Sequence, residues 1–440
     1  ARLDTLDPNA PWQVLAANRA GAGASRPAGP PLKSWSIDPH AGPDEYRQLA
    51  VSIDALSPGL YRLTLSAPET NPEYRVVEVT RTALTIKRGS DSALVWATSM
   101  LNGQPVPGMA LSLYDDQGGQ IGRGQTDNQG ILEAHLTTQP ATLYVAATDS
   151  RDFAFAADTW QDGIEPWQWP ELSHADGIAP AMSPTPTLSI RFDPNPAIGS
   201  KGQRMQFHIQ TLDLRGGPVP RTALDYSIQH LVWNCGIEKD DRGRQLYRCA
   251  EKREAVAQGK LRTDAGGAYD LALTPAHGGE YMLTVQGQDA RGNPVTGQHA
   301  VWVTAADENV SWPLEQARRI HLVADQANYS PGDTARLLVQ SPYPRATALV
   351  TVERDQVLWH QVIALESNSA LIAVPIQAAY TPNVYVSVVL IPPDATASFR
   401  VGYVELPVSL GNAATPSGAS PIELQVHTAS SMTLNARLPN

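Results

Sequence analysis

The sequence predicts an all-β protein built from tandem antiparallel β-sandwiches. Two observations support this prediction: a strand-and-turn pattern that is clearest between residues 319 and 408, and an internal repeat of sandwich length. Within 319–408, short apolar or alternating segments are separated by turn signals such as Tyr329-Ser330-Pro331-Gly332-Asp333 and Pro392-Pro393. Strands of about five residues, punctuated at intervals of roughly ten, are typical of a sandwich of about 100 residues.

The composition agrees with several such domains and disfavours some partners. The chain has 440 residues, of which 42% are hydrophobic, and it contains 33 Gly and 36 Pro, which favour many turns. Its net charge is −11 without a compensating basic cluster, so nucleic acid and anionic membrane surfaces are disfavoured. No stretch reaches the roughly 18 apolar residues of a membrane helix. The start at Ala1 leads us to expect a mature protein or an excised fragment.

The first part of the chain contains weaker strand signals. Residues 1–34 are rich in Ala, Gly and Pro and are predicted to be a loop. Strand signals follow at 35–37, 49–53 and 59–65. In the last of these, Tyr61, Leu63 and Leu65 alternate with polar residues, which predicts a half-buried strand.

Two units in the middle of the chain repeat each other. Residues 102–112 align with 215–225 at an offset of 113, and a Thr-Asp-x-x-Gly turn at Thr126 aligns with one at Thr263 at an offset of 137. The offset grows by 24 residues between the two matches, so the second copy carries an insertion there.

A tyrosine near the last strands of each unit gives the repeat length. Tyr61, Tyr144, Tyr281 and Tyr385 are on average 108 residues apart (385 minus 61, divided by three). A period of this length indicates tandem domains of sandwich size. The predicted units are 1–80, which is possibly incomplete at its start, 81–186, 187–306 and 307–410, followed by a linker and the first strand of a further domain at 411–440.

The two cysteines lie in the insertion, on either side of the turn at 240–243. They could form a reactive or metal-binding pair of thiols, or a disulfide that closes an inserted hairpin. We favour a Cys235–Cys249 disulfide, because closing a 15-residue loop stabilises it by roughly 3 kcal/mol in the chain-entropy model. A disulfide indicates an oxidising compartment such as the periplasm or the cell exterior.

An aromatic cluster lies between the second and third units. Trp160, Trp167 and Trp169 are interspersed with prolines. This cluster is either a partner-binding patch or an interdomain packing plug, and we favour the plug.

Motifs of conventional active sites are absent from the sequence. It contains neither HExxH nor Gly-x-Ser-x-Gly nor a phosphate-binding loop, and its ten His are scattered. His321 and His360 are interpreted as strand positions. Asp115-Asp116 and Asp240-Asp241 suggest hairpin turns rather than calcium ligands. We expect no enzymatic activity, no metal and no cofactor.

Four segments resemble the macroglobulin-like domains of bacterial alpha-2-macroglobulins. They are SPGDTARLLVQSPYP at 330–344, ALVTVERD at 348–355, PNVYVSV at 382–388 and FRVGY at 399–403. Residues 84–160, including DFAFAADTW at 152–160, and 188–303 resemble neighbouring domains of that family. The resemblance implies Ig-like or fibronectin-like sandwiches in the scaffold of a large periplasmic or extracellular protease inhibitor whose parent can be membrane-anchored.

In that family a protease cuts an exposed bait segment, the scaffold rearranges, and a separate helical domain exposes a Cys-x-Glu-Gln thioester. Cys249-Ala250-Glu251-Lys252 is a near match, but Lys has no acyl carbon to form the thioester. Neither a thioester nor a bait segment is evident in this sequence. We expect a non-catalytic scaffold whose partners are proteases, met through the full-length protein, and neighbouring domains. The alternative is an Ig-like array in a bacterial adhesin or envelope stalk.

Overall fold

The computed structural model describes residues 1–6, 30–37, 53, 55–66, 72–149, 152–159, 187–239, 245–313, 319–393 and 398–409. These residues form 26 β-strands, the short 3-10 helix Ala378–Tyr380 and no α-helix. The predicted all-β class and its antiparallel sandwiches are confirmed.

The first unit contributes a four-stranded antiparallel sheet with the order β2-β1-β3-β4. Its strands are β1 (Arg2–Thr5), β2 (Lys33–Ser34), β3 (Gly59–Leu65) and β4 (Glu73–Val79). The strand predicted at 35–37 is replaced by β2, and the one predicted at 49–53 lies almost wholly outside the described residues.

Strand β3 is present as predicted, but its buried face differs from the expectation. Arg62 is buried, whereas Leu65 is exposed. Asp4 lies opposite Arg62 on β1, and the guanidinium Nη2 is 3.8 Å from its carboxylate. A buried charge is tolerated when it has such a partner, which the alternation within one strand does not show.

The second unit is a sandwich of a three-stranded and a four-stranded sheet. Its strands are β5 (Thr82–Arg88), β6 (Ser92–Ser99), β7 (Ala110–Tyr114), β8 (Gln120–Gln125), β9 (Ile131–His135), β10 (Tyr144–Asp149) and β11 (Asp152–Ala157). The sheet orders are β5-β6-β9 and β11-β10-β7-β8. The core between the sheets is mainly aliphatic, with Val95 and Leu113 at its centre.

The third unit has the longest strands. They are β12 (Leu188–Asn195), β13 (Ile198–Ser200), β14 (Met205–Asp213), β15 (Ala223–Lys239), β16 (Gln245–Arg262), β17 (Ala268–Leu273), β18 (Gly279–Gln288) and β19 (Pro294–Thr304). The sheet orders are β12-β14-β17 and β13-β19-β18-β15-β16, and β13 pairs with β19 in parallel. Phe207 and Tyr281 are the largest side chains in its core.

The fourth unit is the sandwich predicted most clearly from the sequence. Its strands are β20 (Leu322–Ala324), β21 (Thr334–Val339), β22 (Ala346–Glu353), β23 (Val357–Leu365), β24 (Leu371–Pro375), β25 (Asn383–Ile391) and β26 (Arg400–Pro407). The sheet orders are β20-β21-β24 and β23-β22-β25-β26.

The second, third and fourth units share one topology. With β13 set aside, each has seven strands: the first, second and fifth form one sheet, and the third, fourth, sixth and seventh form the other. This is an Ig-like or fibronectin-like sandwich. The repeated turn is also the same in two units, because Thr126 Oγ1 accepts a hydrogen bond from Met109 N–H at 2.9 Å and Thr263 Oγ1 accepts one from Thr222 N–H at 2.9 Å. These pairs follow the offsets of 113 and 137 seen in the sequence.

Candidate functional site at the contacts between units

The two cysteines form a disulfide across the long hairpin of the third unit. Cys235 on β15 lies opposite Cys249 on β16, and their sulfurs are bonded at 2.01 Å. Because the chain has only these two cysteines, no free thiol remains for nucleophilic, metal-binding or thioester chemistry. Pairing of β15 with β18 ends at Leu231, whereas its pairing with β16 continues to Lys239. The predicted insertion is therefore the far part of this hairpin.

The predicted aromatic patch is not covered by the structure. Trp160, Trp167 and Trp169 lie outside the described residues, so both the packing-plug and the partner-patch hypotheses stay predictions. Asp240 and Asp241 also lie outside them.

The other side chains singled out in the sequence have local roles, with one exception. Asp115 Oδ1 accepts hydrogen bonds from the N–H groups of Gln117 and Gly119 at 2.9 and 2.7 Å, as expected for a turn. His321 precedes β20. His360 lies in β23 as expected, but its Nδ1 is 2.9 Å from Glu133 Oε1 in the second unit. The sequence did not indicate this contact between units.

The second and fourth units pack together through apolar sheet faces. The buried residues at this contact come from β6, β9, β22, β25 and β26: Leu94, Trp96, Ile131, Leu349, Val389 and Val401. Strands of each unit thus face their own core on one side and the neighbouring unit on the other. The contact excludes water over a sheet face and fixes the two sandwiches against each other.

A buried lysine crosses the same contact. Lys87 of β5 places its Nζ 2.9 Å from Glu353 Oε1, and it donates hydrogen bonds to Ser387 Oγ at 2.8 Å and to Tyr403 Oη at 2.9 Å. All three partners belong to the fourth unit, and they match the three donors of an ammonium group. Burial disfavours its charged form, but the oxygens of Tyr403 and Glu353 outweigh this effect and raise the pKa of Lys87 above its ordinary value. The ammonium is therefore charged at neutral pH.

A cavity of about 550 Å³ adjoins this contact, lined by residues of β5 and β11 on one side and of β25 and β26 on the other. Glu78 of β4 also lines it, and its Oε1 accepts a hydrogen bond from Phe155 N–H at 2.8 Å. Burial raises the pKa of Glu78 to about 7; the Phe155 hydrogen bond opposes the shift and the charge of Asp152 adds to it.

The first and second units are also joined by a shared core. Leu6 and Leu60 of the first unit pack with Tyr144, Phe153 and Phe155 of the second. The junction is closed by Asp152, which accepts hydrogen bonds from Thr82 Oγ1 at 2.7 Å and from Arg81 N–H at 3.1 Å.

The linker between the third and fourth units is a buried segment. Val310 and Trp312 pack with Leu338 of the fourth unit. Asn368 brackets Val310, since its Oδ1 accepts the Val310 N–H at 2.9 Å and its Nδ2 donates to the Val310 carbonyl at 2.7 Å. Trp312 Nε1 donates to the Asn368 carbonyl at 2.8 Å. A linker held in this way transmits orientation rather than allowing free rotation.

The described residues therefore define a multidomain β-sandwich scaffold whose important features are its contacts between units. Among them, no group of three or more His, Cys, Asp or Glu side chains is arranged to hold a metal ion. They also contain no helix with the length and apolarity needed to cross a membrane.

Three family models match the chain in succession. Residues 79–170 match the bacterial alpha-2-macroglobulin MG3 domain, 191–303 match bacterial macroglobulin domain 6, and 320–436 match the alpha-2-macroglobulin bait region domain. The chain belongs to the bacterial alpha-2-macroglobulin family. The segment between the first two matches is far shorter than the roughly 100 residues of a sandwich, so the domains numbered three and six are direct neighbours here.

Individual relatives match over limited regions. The alpha-2-macroglobulin homolog of Nostoc sp. is 26% identical over 149 residues, which is 34% of this chain and 8% of that protein. The alpha-2-macroglobulin of Ralstonia nicotianae is 35% identical over 107 residues, or 24% of this chain and 6% of that protein. The native conformation of E. coli alpha-2-macroglobulin matches 80% of this chain and 25% of that chain, with 15% identity and a TM-score of 0.24. The chain thus spans a quarter or less of these relatives.

The bait region match corrects one expectation from the sequence, which was that no bait segment is evident. A bait segment is defined by its accessibility to proteases, so it carries no diagnostic spacing or pairing of residues. Residues 411–440 were therefore interpreted only as a linker and a strand, although the match continues to residue 436.

Proposed function

We propose that this chain is the part of a protease-trapping alpha-2-macroglobulin that carries the bait region domain and holds it against neighbouring sandwiches. The supporting observation is the match of residues 320–436 to the bait region domain model. In this family the bait segment is the part that an attacking protease cuts, so the partner of the full-length protein is a protease. The chain itself is non-catalytic in this proposal.

We place the cut between residues 410 and 436. The described part of the fourth unit ends at Ser409, whose N–H is hydrogen-bonded to the Tyr329 carbonyl, and the preceding strands are paired within the sandwich. Paired core strands are poor protease substrates, because cleavage requires them to open first. Residues 410–436 contain no Lys or Arg but include Leu424, Met432 and Leu434. The proposed attackers are therefore proteases that cut after apolar or small residues.

The work of this part is mechanical. The bait region domain is fixed to the second unit by Lys87 and the apolar contact, and to the third unit by the buried linker. A cut beyond Ser409 would therefore act on a prearranged block of sandwiches. Because both cysteines are bonded to each other, covalent capture by this chain is not part of the proposal.

The test is limited digestion of the whole chain with chymotrypsin-type, elastase-type and trypsin-type proteases, with the cut sites mapped by mass spectrometry. The first two are expected to cut first within 410–436 and to leave the fourth sandwich intact, while the trypsin-type enzyme finds no site there. First cuts inside 319–409 would contradict the proposal. Incubation with methylamine is expected to give no incorporation.

We further propose a periplasmic or extracellular location, which the disulfide supports because such bonds persist in oxidising compartments. Alkylation of the native protein in cell fractions, before and after reduction, tests this. The bond should be intact in the periplasmic or secreted fraction. Of the two functions considered, the three macroglobulin-type domain matches favour the protease trap over an adhesin or stalk.

A further inference from the structure

The linker between the third unit and the bait region domain is held by the disulfide-closed hairpin as well as by the fourth unit. Ser311 Oγ accepts a hydrogen bond from Trp233 N–H at 3.0 Å and donates one to the Trp233 carbonyl. Cys235 Sγ lies 3.7 Å from the Trp312 carbonyl oxygen. One serine of the linker thus satisfies both main-chain groups of a hairpin residue, and the disulfide lies against the next linker residue.

Other parts of the third unit hold the beginning of the linker. Lys201 Nζ lies 2.7 Å from Asp307 Oδ2. Glu308 accepts a hydrogen bond from Gly278 N–H and lies 3.3 Å from His277 Nδ1. These ion pairs and hydrogen bonds are partly exposed, so each of them contributes little. The buried contacts further along the linker carry more of the restraint.

The fourth unit holds the same segment from the other side. Ser369 Oγ accepts a hydrogen bond from Ala305 N–H at 3.0 Å, and Asn368 brackets Val310 as described above. Between residues 305 and 312 the chain is therefore bonded alternately to both units, with Val310 and Trp312 buried.

The hairpin depends on its disulfide in the region that contacts the linker. Beyond Leu231 strand β15 no longer pairs with β18, so the far part of the hairpin consists of two strands. An isolated two-stranded hairpin is marginally stable in water. Trp233 lies in this far part, two residues from Cys235, which is bonded directly to the opposite strand.

We propose that the disulfide-closed hairpin is a latch: by binding Ser311 and Trp312 it fixes the linker and thereby the orientation of the third unit relative to the bait region domain. This role concerns the geometry of two adjoining domains, and it holds whether or not the chain takes part in protease trapping. It also gives the insertion in the third unit a function that the second unit, which lacks the insertion, does not have.

The test is amide hydrogen exchange of the full chain, followed by mass spectrometry of peptides that cover 305–312 and 230–236. Ser311→Ala removes both hydrogen bonds to Trp233 and is expected to speed exchange in both peptides about tenfold. Cys235→Ser with Cys249→Ser is expected to have at least this effect. Ser189→Ala is the matched control, because it removes one exposed hydrogen bond to the Leu212 carbonyl elsewhere in the third unit. Exchange at 305–312 should not change in this control.

Unchanged exchange at 305–312 in either variant would overturn the latch, even if the hairpin peptide exchanges faster. A spin-label distance between Leu214→Cys in the third unit and Arg345→Cys in the fourth gives a second measurement, since both positions are exposed. The distance distribution should broaden in Ser311→Ala and stay narrow in Ser189→Ala. If the double cysteine variant does not fold, Ser311→Ala alone decides the matter.

Discussion

Two buried ionisable side chains at the contacts between units show how partners decide the charge state. Lys87 has three oxygen partners, and its pKa is raised although it is buried. Glu78 has one main-chain donor and a neighbouring carboxylate, and burial raises its pKa to about 7. The lysine therefore stays charged, whereas the carboxyl group titrates near neutral pH.

Replacing Lys87 by Met is expected to weaken the contact between the second and fourth units by about 2–4 kcal/mol, because it leaves Glu353 without its cation in a largely buried site. Faster hydrogen exchange in β5 and β26, together with a lower urea midpoint, would show this. Arg345→Met is the control, since the Arg345–Glu366 pair is more than two-thirds exposed and such pairs contribute about 0–1 kcal/mol. An equal effect of both variants would contradict the assigned role of Lys87.

Glu78 predicts a pH dependence of the junction between the first and second units. The folded-state pKa, about 7, is above the ordinary value of 4.5, so the folded state retains a proton that the unfolded state has lost. Stability is therefore highest below pH 4.5 and falls by up to about 3 kcal/mol as the pH rises through 7.

Glu78→Gln should abolish this dependence and be more stable than the wild-type protein at pH 8, because the amide is neutral and its oxygen still accepts the Phe155 N–H. Thermal unfolding of both proteins at pH 5 and pH 8 measures the difference. Glu366→Gln, at an exposed carboxylate, serves as the control. A wild-type protein that gains stability between pH 5 and pH 8 at this junction would refute the prediction.

At the scale of elements, the repeated turns were predictable because their chemistry is local. In the Thr-Asp-x-x-Gly turn, the Thr side chain binds a main-chain N–H of an earlier strand and the Gly adopts a positive φ, at 75° in both Gly130 and Gly267. Both features depend on residue types at fixed spacing. The face of β3 was not predictable in this way, since burial of Arg62 depends on Asp4, which is far away in the sequence.

Gly267→Ala is expected to destabilise the third unit by about 2–3 kcal/mol. The added Cβ would lie 2.9 Å from the Thr211 carbonyl oxygen in a left-handed backbone conformation, so strain and a close contact act together. Gly216→Ala has a similar φ of 79° but meets nothing within 4 Å, so only about 1 kcal/mol is expected. Chemical denaturation monitored by exchange in β14 compares the two, and equal losses would contradict the steric part of the argument.

At the scale of the whole molecule, the units were predictable but their contacts were not. The sequence of β22, ATALVTVE, indicates a strand with both faces apolar, and all but its last residue are buried. One face packs within the fourth unit, with Val350 in its core, while Leu349 packs against Trp96 of the second unit. Sequence patterns register burial but do not identify what covers each face. The Lys87 contact was missed for the same reason, because its partners lie about 300 residues away.

Adjacent positions on β22 separate stability within the fourth unit from coupling between units. Leu349→Ala creates a cavity at the contact with the second unit, and Val350→Ala creates one inside the fourth sandwich; large-to-small core substitutions of this kind cost roughly 2–5 kcal/mol. In calorimetry, the second and fourth units of the wild-type protein should unfold in one transition. Leu349→Ala should split this transition into two, because the coupling is lost while both cores remain intact. Val350→Ala should instead lower the single transition without splitting it. If Leu349→Ala left one transition, or if both variants split it, the contact would not be what couples these units.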